Sequence, residues 1–213
     1  MTRSRVRKPL SALLMLGLAS CGHGNEAPKP VAVRATTAKP STQDKSAPHT
    51  RVASAAAPAR AAQPPPGELA QLKSGLVIPV AGVGTMELVD TFEELRGKRK
   101  HAAIDILAPR GAAVLSATAG RVLQISTSAS GGLMVFATDP TEHFMLLYAH
   151  LDSYAKGLSV GMPLRPGQVL GAVGTTGNAP ANTPHLHFAI AWAPESLRWS
   201  KGVPLDPRPL LVP

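Results

Sequence analysis

Cysteine is almost absent from this chain of 213 residues: Cys21 stands alone, so no intramolecular disulfide can form. Aromatic residues make up only 4% of the composition, and no motif interleaves them with basic side chains as nucleic-acid-binding surfaces do. The chain lacks a long apolar run. Its leader stretch, Leu10 to Leu18, falls well short of the roughly 20 residues needed to span a bilayer. No internal repeat of fixed period is evident, which argues against a solenoid. Acidic residues are scarce too, giving a formal charge of +9, but the excess is unevenly placed. Residues 1–20 contribute +4, residues 21–66 contribute +4, and residues 67–213, with twelve basic and eleven acidic side chains, contribute +1. The part able to fold is nearly neutral, so neither its charge nor its motifs indicate a nucleic-acid partner.

What is present divides the chain into three. Arg3 to Lys8 form a basic n-region and Leu10 to Leu18 an h-region of signal-peptide length, so residues 1–20 read as a secretory leader. Leu18-Ala19-Ser20-Cys21 then resembles the bacterial lipobox, which implies lipidation of Cys21 and a membrane anchor. Gly22 occupies the place where an inner-membrane retention signal would put Asp. This favours an outer-membrane anchor with the protein facing the periplasm. Residues 21–66 are rich in Pro, Ala, Ser and Thr and hold no aromatic residue. Such a segment cannot bury enough surface to offset its ordering entropy, and it reads as a disordered tether. As a flexible coil it spans roughly 40 Å.

Residues 67–213 are long enough for one well-buried core. Glu68 to Ser74 is predicted as a short helical turn and Leu76 to Val80 as an edge strand limited by Pro79. Short strand-like runs follow, punctuated by Gly and Pro: His101 to Leu107, Ala113 to Ala117, Gly120 to Ser126, Leu133 to Thr138, His143 to His150, Gln168 to Val173 and the run from His185. A loop is expected over Asp152 to Gly161. Many short strands with frequent turn signals predict an all-β fold, mainly an antiparallel sandwich or open barrel.

The chemistry gathers around His185-Leu186-His187. On a strand, residues i and i+2 share a face, so both imidazoles can aim at one point. Imidazole is a common zinc ligand and also shuttles protons near neutral pH. The pair could equally be a half-buried edge. A catalytic zinc site needs three protein ligands and one open position. His101 has Asp105 four residues on, and i and i+4 also share a strand face. Asp105 sits between Ile104 and Ile106, which leaves a paired structural residue or a ligand as its alternatives. His150, at the end of Met145 to His150, could serve the same site or be a solvent-exposed strand end.

The set His101-x-x-x-Asp105, Tyr148-Ala149-His150-Leu151 and His185-Leu186-His187 comes with Ala119-Gly120-Arg121-Val122 and Gly171-x-Val173-Gly174-x-x-Gly177 between its members. Together these resemble the lysostaphin/LytM-type zinc endopeptidases of bacterial cell walls, over roughly residues 76–210. The resemblance implies a LytM-like fold, with zinc held by His101, Asp105 and His187. It also implies that His150 and His185 are the catalytic histidines around the attacking water, without dividing the roles between them. The implied substrate is the peptide part of peptidoglycan, its cross-links foremost. The rival reading is a catalytically silent wall-binding or amidase-activating relative; such proteins typically lose metal ligands, and here all three remain.

Two positions depart from the family pattern. Ala103 stands where a glycine is usual, and Leu95 to Lys100 offers no tyrosine to help hold an oxyanion. Arg96, Lys98, Arg99 and Lys100 could hold stem-peptide carboxylates, Arg99 among them, or form a solvated loop. Asn178 and Asn182 could line the groove or make turns. Trp192 and Trp199 could be groove walls or packing residues, and His143 matches no motif position.

Overall fold

Helix α1 (Pro66–Gly75) opens the folded part, with a proline at its first position, where a missing N–H costs nothing. The computed structural model describes residues 63–212; the leader, Cys21 and nearly all of the tether lie outside them. After α1 the chain runs extended but makes only one isolated bridge, Val80 to Val114, where a strand is expected over Leu76 to Val80. Pro79 has no N–H to give, and its carbonyl accepts from Leu115 at 2.9 Å. A single 3-10 turn (Thr85–Glu87) leads to a hairpin of β1 (Leu95–Arg96) and β2 (Arg99–Lys100), turned at Gly97 with φ 67°.

The remaining strands are β3 (Ile104–Leu107), β4 (Ala113–Leu115), β5 (Gly120–Ser128), β6 (Gly132–Thr138), β7 (Phe144–Tyr154), β8 (Pro163–Leu164), β9 (Val169–Val173), β10 (His185–Trp192) and β11 (Val203–Leu205). They form one nine-stranded antiparallel sheet curled into a half-barrel, and a short α2 (Arg208–Leu211) follows. No helix among the described residues is long and apolar enough to cross a membrane. β7 runs on through Ser153 to Tyr154, into the stretch expected to be loop, because β9 takes over its pairing from Leu151 onward.

Strand β10 is the spine of the sheet. One edge pairs with β3 over His185 to Phe188 and with β11 over Ile190 to Trp192, while the other pairs with β7. Its alternation separates two faces. Leu186, Phe188 and Ile190 enter the main core, fully buried with Ile104, Leu146 and Tyr148. Ala189 faces a smaller cluster with Ala103, Leu147 and Ala149, partly covered by Met134, Phe136 and Trp199. His187 pairs with Ala149 across β7 while Phe188 pairs with Tyr148, so the histidine lies on the small-residue face.

Tyr148 shows how the core is closed. Its ring lies 5.3 Å from that of Phe188, and its buried hydroxyl accepts the Ala117 N–H at 2.9 Å. Burial pushes the phenol up to about 12 from 10.0. The unfolded chain therefore loses this proton first, and stability falls as pH rises from 10 toward 12, by about 2–3 kcal/mol over the window. Urea titrations should show this loss for the wild type and not for Tyr148→Phe. The variant should itself be weaker by about 1–3 kcal/mol at pH 7, since the Ala117 N–H is left unpaired.

Candidate metal centre

Asp105 lies directly opposite His187 in the β3–β10 register, so two polar side chains meet on the small-residue face. His101 reaches them by another route. It stands outside β3, and Ala102 takes φ 55°, so the chain kinks instead of continuing as a strand. Backbone hydrogen bonds hold the kink: His101 N–H donates to Glu94 at 2.8 Å and Ala102 N–H to Phe92 at 2.9 Å. His101 Nε2 then lies 3.0 Å from His187 Nδ1 and 3.1 Å from Asp105 Oδ1, and His187 Nδ1 lies 3.2 Å from Asp105 Oδ1.

This cluster fits a metal site. Two imidazole nitrogens and a carboxylate oxygen are donors suited to zinc, and tetrahedral bonds of about 2.1 Å put ligand atoms about 3.4 Å apart. The tautomer is prepared as well. His101 donates Nδ1–H to the Thr91 carbonyl at 3.0 Å, which leaves Nε2 with its lone pair toward the cluster. With protons in place of a metal on the ring nitrogens that face it, hydrogen bonds from His101 and His187 outweigh the burial that opposes ionisation of Asp105 and hold its carboxyl far below the usual carboxylate range.

His150 and His185 stand beside the cluster. His185 donates Nδ1–H to the Thr183 carbonyl and His150 to the Thr176 carbonyl, both at 2.8 Å. Each ring thus keeps Nε2 free, and His185 Nε2 lies 3.8 Å from Asp105 Oδ1. The His150 ring centroid is 5.0 Å from that of His185 and 5.6 Å from that of His187. His150 has φ 60°. With plain alternation it would share the core face of Tyr148, and the left-handed kink turns it to the metal side. Burial pushes its imidazole below the ordinary histidine range.

These residues line a cleft of about 410 Å³, floored by Leu147 and Ala149 and walled by Arg96, Arg99 and Lys100 on one side and Asn178 to Pro180 on another. A model of peptidase family M23 matches residues 99–207, which takes in the whole histidine and aspartate set. The chain belongs to peptidase family M23. It is 35% identical over 122 residues to the L-Ala--D-Glu endopeptidase of Bacillus subtilis (strain 168), the match covering 54% of this chain and 35% of that protein. It is 28% identical over 121 residues to the cell division protein DipM of Caulobacter vibrioides, covering 57% of this chain and 19% of that one. The chain thus spans well under half the length of these curated relatives. Among solved structures it resembles a candidate glycyl-glycine endopeptidase lytM from Ruminococcus gnavus, with a TM-score of 0.54, 27% identity, and coverage of 66% of this chain and 61% of that one.

The M23 domain distributes its remaining candidate residues unevenly. Arg99 and Asn178 line the cleft, whereas Asn182 is exposed, with its side chain toward Thr183. Trp199 lines the cleft and packs edge-on against Phe136 at 5.7 Å, while Trp192 and His143 both bond Glu68 of α1. Ala103 is fully buried beneath the floor with Leu147, Ala149 and Ala189. Of the four basic residues before His101, Arg96 donates to Asp105 and Lys100 pairs with Glu93. Sequence reading missed Thr91, which accepts from both His101 and the Asp105 N–H, and Thr176, which orients His150. Nothing in the sequence flags Thr91. Thr176 lies inside the glycine loop that ends at Gly177.

That loop depends on a close approach. Gly132 has φ 62°, and a Cβ there would collide with Thr176. Thr176 also accepts the Leu133 N–H at 2.9 Å and donates to the Leu151 carbonyl at 2.7 Å. Gly132→Ala should therefore cost more than about 2 kcal/mol through strain and overlap. Chemical denaturation checks this, and any residual activity should fall further than stability because the His150 orienter moves.

Proposed function

We propose that this chain is a zinc-dependent endopeptidase that cuts peptide bonds of bacterial peptidoglycan, most readily its cross-links. The observation that carries the reading is the convergence of His101, Asp105 and His187 on one point, flanked by two imidazoles with free Nε2 atoms. Bound there, zinc would supply Lewis acidity, polarising a carbonyl and making a water more acidic. His150, held neutral by burial, can take a proton through Nε2 from an attacking water. His185, whose Nδ1–H is fixed on Thr183, can in its charged form stabilise the developing oxyanion or hand its Nε2 proton to the leaving amine. The pair thus shares the proton traffic that peptide hydrolysis requires. Arg99, which has no carboxylate partner among the described residues, stands on the cleft wall where an acidic stem peptide would lie.

The same proposal includes a lipid on Cys21 and an outer-membrane, periplasm-facing location. Its motivation is the lipobox-like Leu18-Ala19-Ser20-Cys21 that follows the basic and apolar leader segments. Incorporation of labelled fatty acid that is lost in Cys21→Ser tests the anchor.

For the activity, the purified chain loaded with zinc should convert cross-linked muropeptides to monomers, and mass spectrometry of the new termini identifies the bond. Stoichiometric zinc with no cleavage of any wall preparation would overturn the enzymatic reading in favour of a wall-binding or amidase-activating protein.

A further inference from the structure

We infer that Arg96 is a positioning residue of the metal centre: by occupying Oδ2 of Asp105 it leaves Oδ1 as the one oxygen presented to the ligand set, and it ties the β1–β2 hairpin to that centre. This rests on His101, Asp105 and His187 being the metal ligands. The two carboxylate oxygens divide their partners cleanly. Oδ1 faces His101 Nε2 at 3.1 Å and His187 Nδ1 at 3.2 Å, whereas Oδ2 accepts from Arg96 Nη2 at 2.9 Å. A carboxylate with a free second oxygen can rotate or chelate. One whose second oxygen is held by a guanidinium keeps its first oxygen aimed.

A cation beside a metal site also repels the metal, and the sign depends on which effect is larger. Here the same Nη2 donates to Glu94 Oε2 at 2.9 Å, so the Arg96 charge is balanced by its neighbour. Both side chains are about half exposed, which screens them further. Orientation of Asp105 is then the larger effect.

The hairpin depends on the same contact. All four of its strand residues are exposed, and it forms a two-stranded sheet separate from the main one. The Glu94–His101 and Phe92–Ala102 backbone bonds join the hairpin's own two arms, whereas the Arg96–Asp105 pair ties it to β3 of the main sheet. The hairpin carries Arg99 and Lys100 to the cleft wall. Filling the metal site and ordering that wall are therefore linked.

The test is competition for zinc against a chromophoric chelator, with the full chain as wild type, Arg96→Ala, Arg96→Lys and Lys98→Ala. Arg96→Ala should bind about 10-fold or more weakly, the scale of losing an outer partner of a metal ligand. Arg96→Lys, which keeps the charge without the fork, should fall between. Lys98→Ala removes a charge from the same hairpin away from Asp105 and should match the wild type. Hydrogen exchange at amides 95–100 of the zinc-loaded protein should quicken in Arg96→Ala, while thermal unfolding of the metal-free form stays unchanged. Wild-type or tighter zinc affinity in Arg96→Ala would overturn the positioning role alone. A wild type that binds no zinc would overturn the ligand assignment and this inference with it.

Discussion

Replacing His187 with alanine should abolish zinc binding and muropeptide cleavage together, with the fold intact. His187 Nδ1 is one of the three clustered donors and lies 3.2 Å from Asp105 Oδ1. Even outer partners of metal ligands are worth 10–100-fold in affinity, so loss of a direct ligand should exceed about a hundredfold. The fold should survive because the backbone at this position is held on both edges, by Asp105 of β3 and Ala149 of β7. The side chain is itself 20% exposed, so little core volume is lost. Metal analysis after dialysis, a cleavage assay and far-UV circular dichroism on one sample check all three parts. Retained stoichiometric zinc would mean the donor set has been misread.

The second large effect separates binding from proton transfer. His150→Ala and His185→Ala should each keep zinc near stoichiometric while cleavage falls by roughly 10²–10⁴, the range for losing a positioned acid or base. The structure motivates the split. Both rings spend Nδ1 on backbone carbonyls of the loops before β10 and stand beside the donor triad without belonging to it. Their double variant should lose little more than the worse single one if the two act in one proton path. Zinc content measured alongside turnover decides it: parallel loss of both would make these residues ligands instead.

Much of the site could be read from residues alone because the fold keeps its motifs on strands. His185 and His187 do share a face, as a two-residue period requires, and Asp105 between two buried isoleucines does signal a carboxylate with partners. The all-β expectation holds because the glycine and proline turns fall where strands end. At Pro166-Gly167, for example, Gly167 takes φ 78° and Gln168 N–H closes on the Arg165 carbonyl at 3.0 Å. The expectation was weaker where side-chain type says little about direction. Leu76 to Val80 looks like a strand but has a single bridge, and β7 outruns its apolar stretch because β9 gives Ser153 and Tyr154 a partner.

The reason given by spacing was not always the reason found. His101 and Asp105 meet, yet not as i and i+4 on one strand, since Ala102 breaks the strand with a left-handed kink. His150 is a buried residue turned against the alternation of β7, where an exposed strand end was one of the expectations. Arg96 reads as one of four cations in a basic run, and only its distance to Asp105 distinguishes it from Lys98.

By itself the sequence determined which histidines and which aspartate could gather at a metal, and that most of them fall on antiparallel strands, because ligand types and a period of two are local properties. Tertiary structure decided how they converge: which ring nitrogen is left free, which Asp105 oxygen faces the imidazoles, and which threonine and arginine hold them there. Those depend on two left-handed kinks and on contacts between segments 9 to 86 residues apart, which no local pattern encodes.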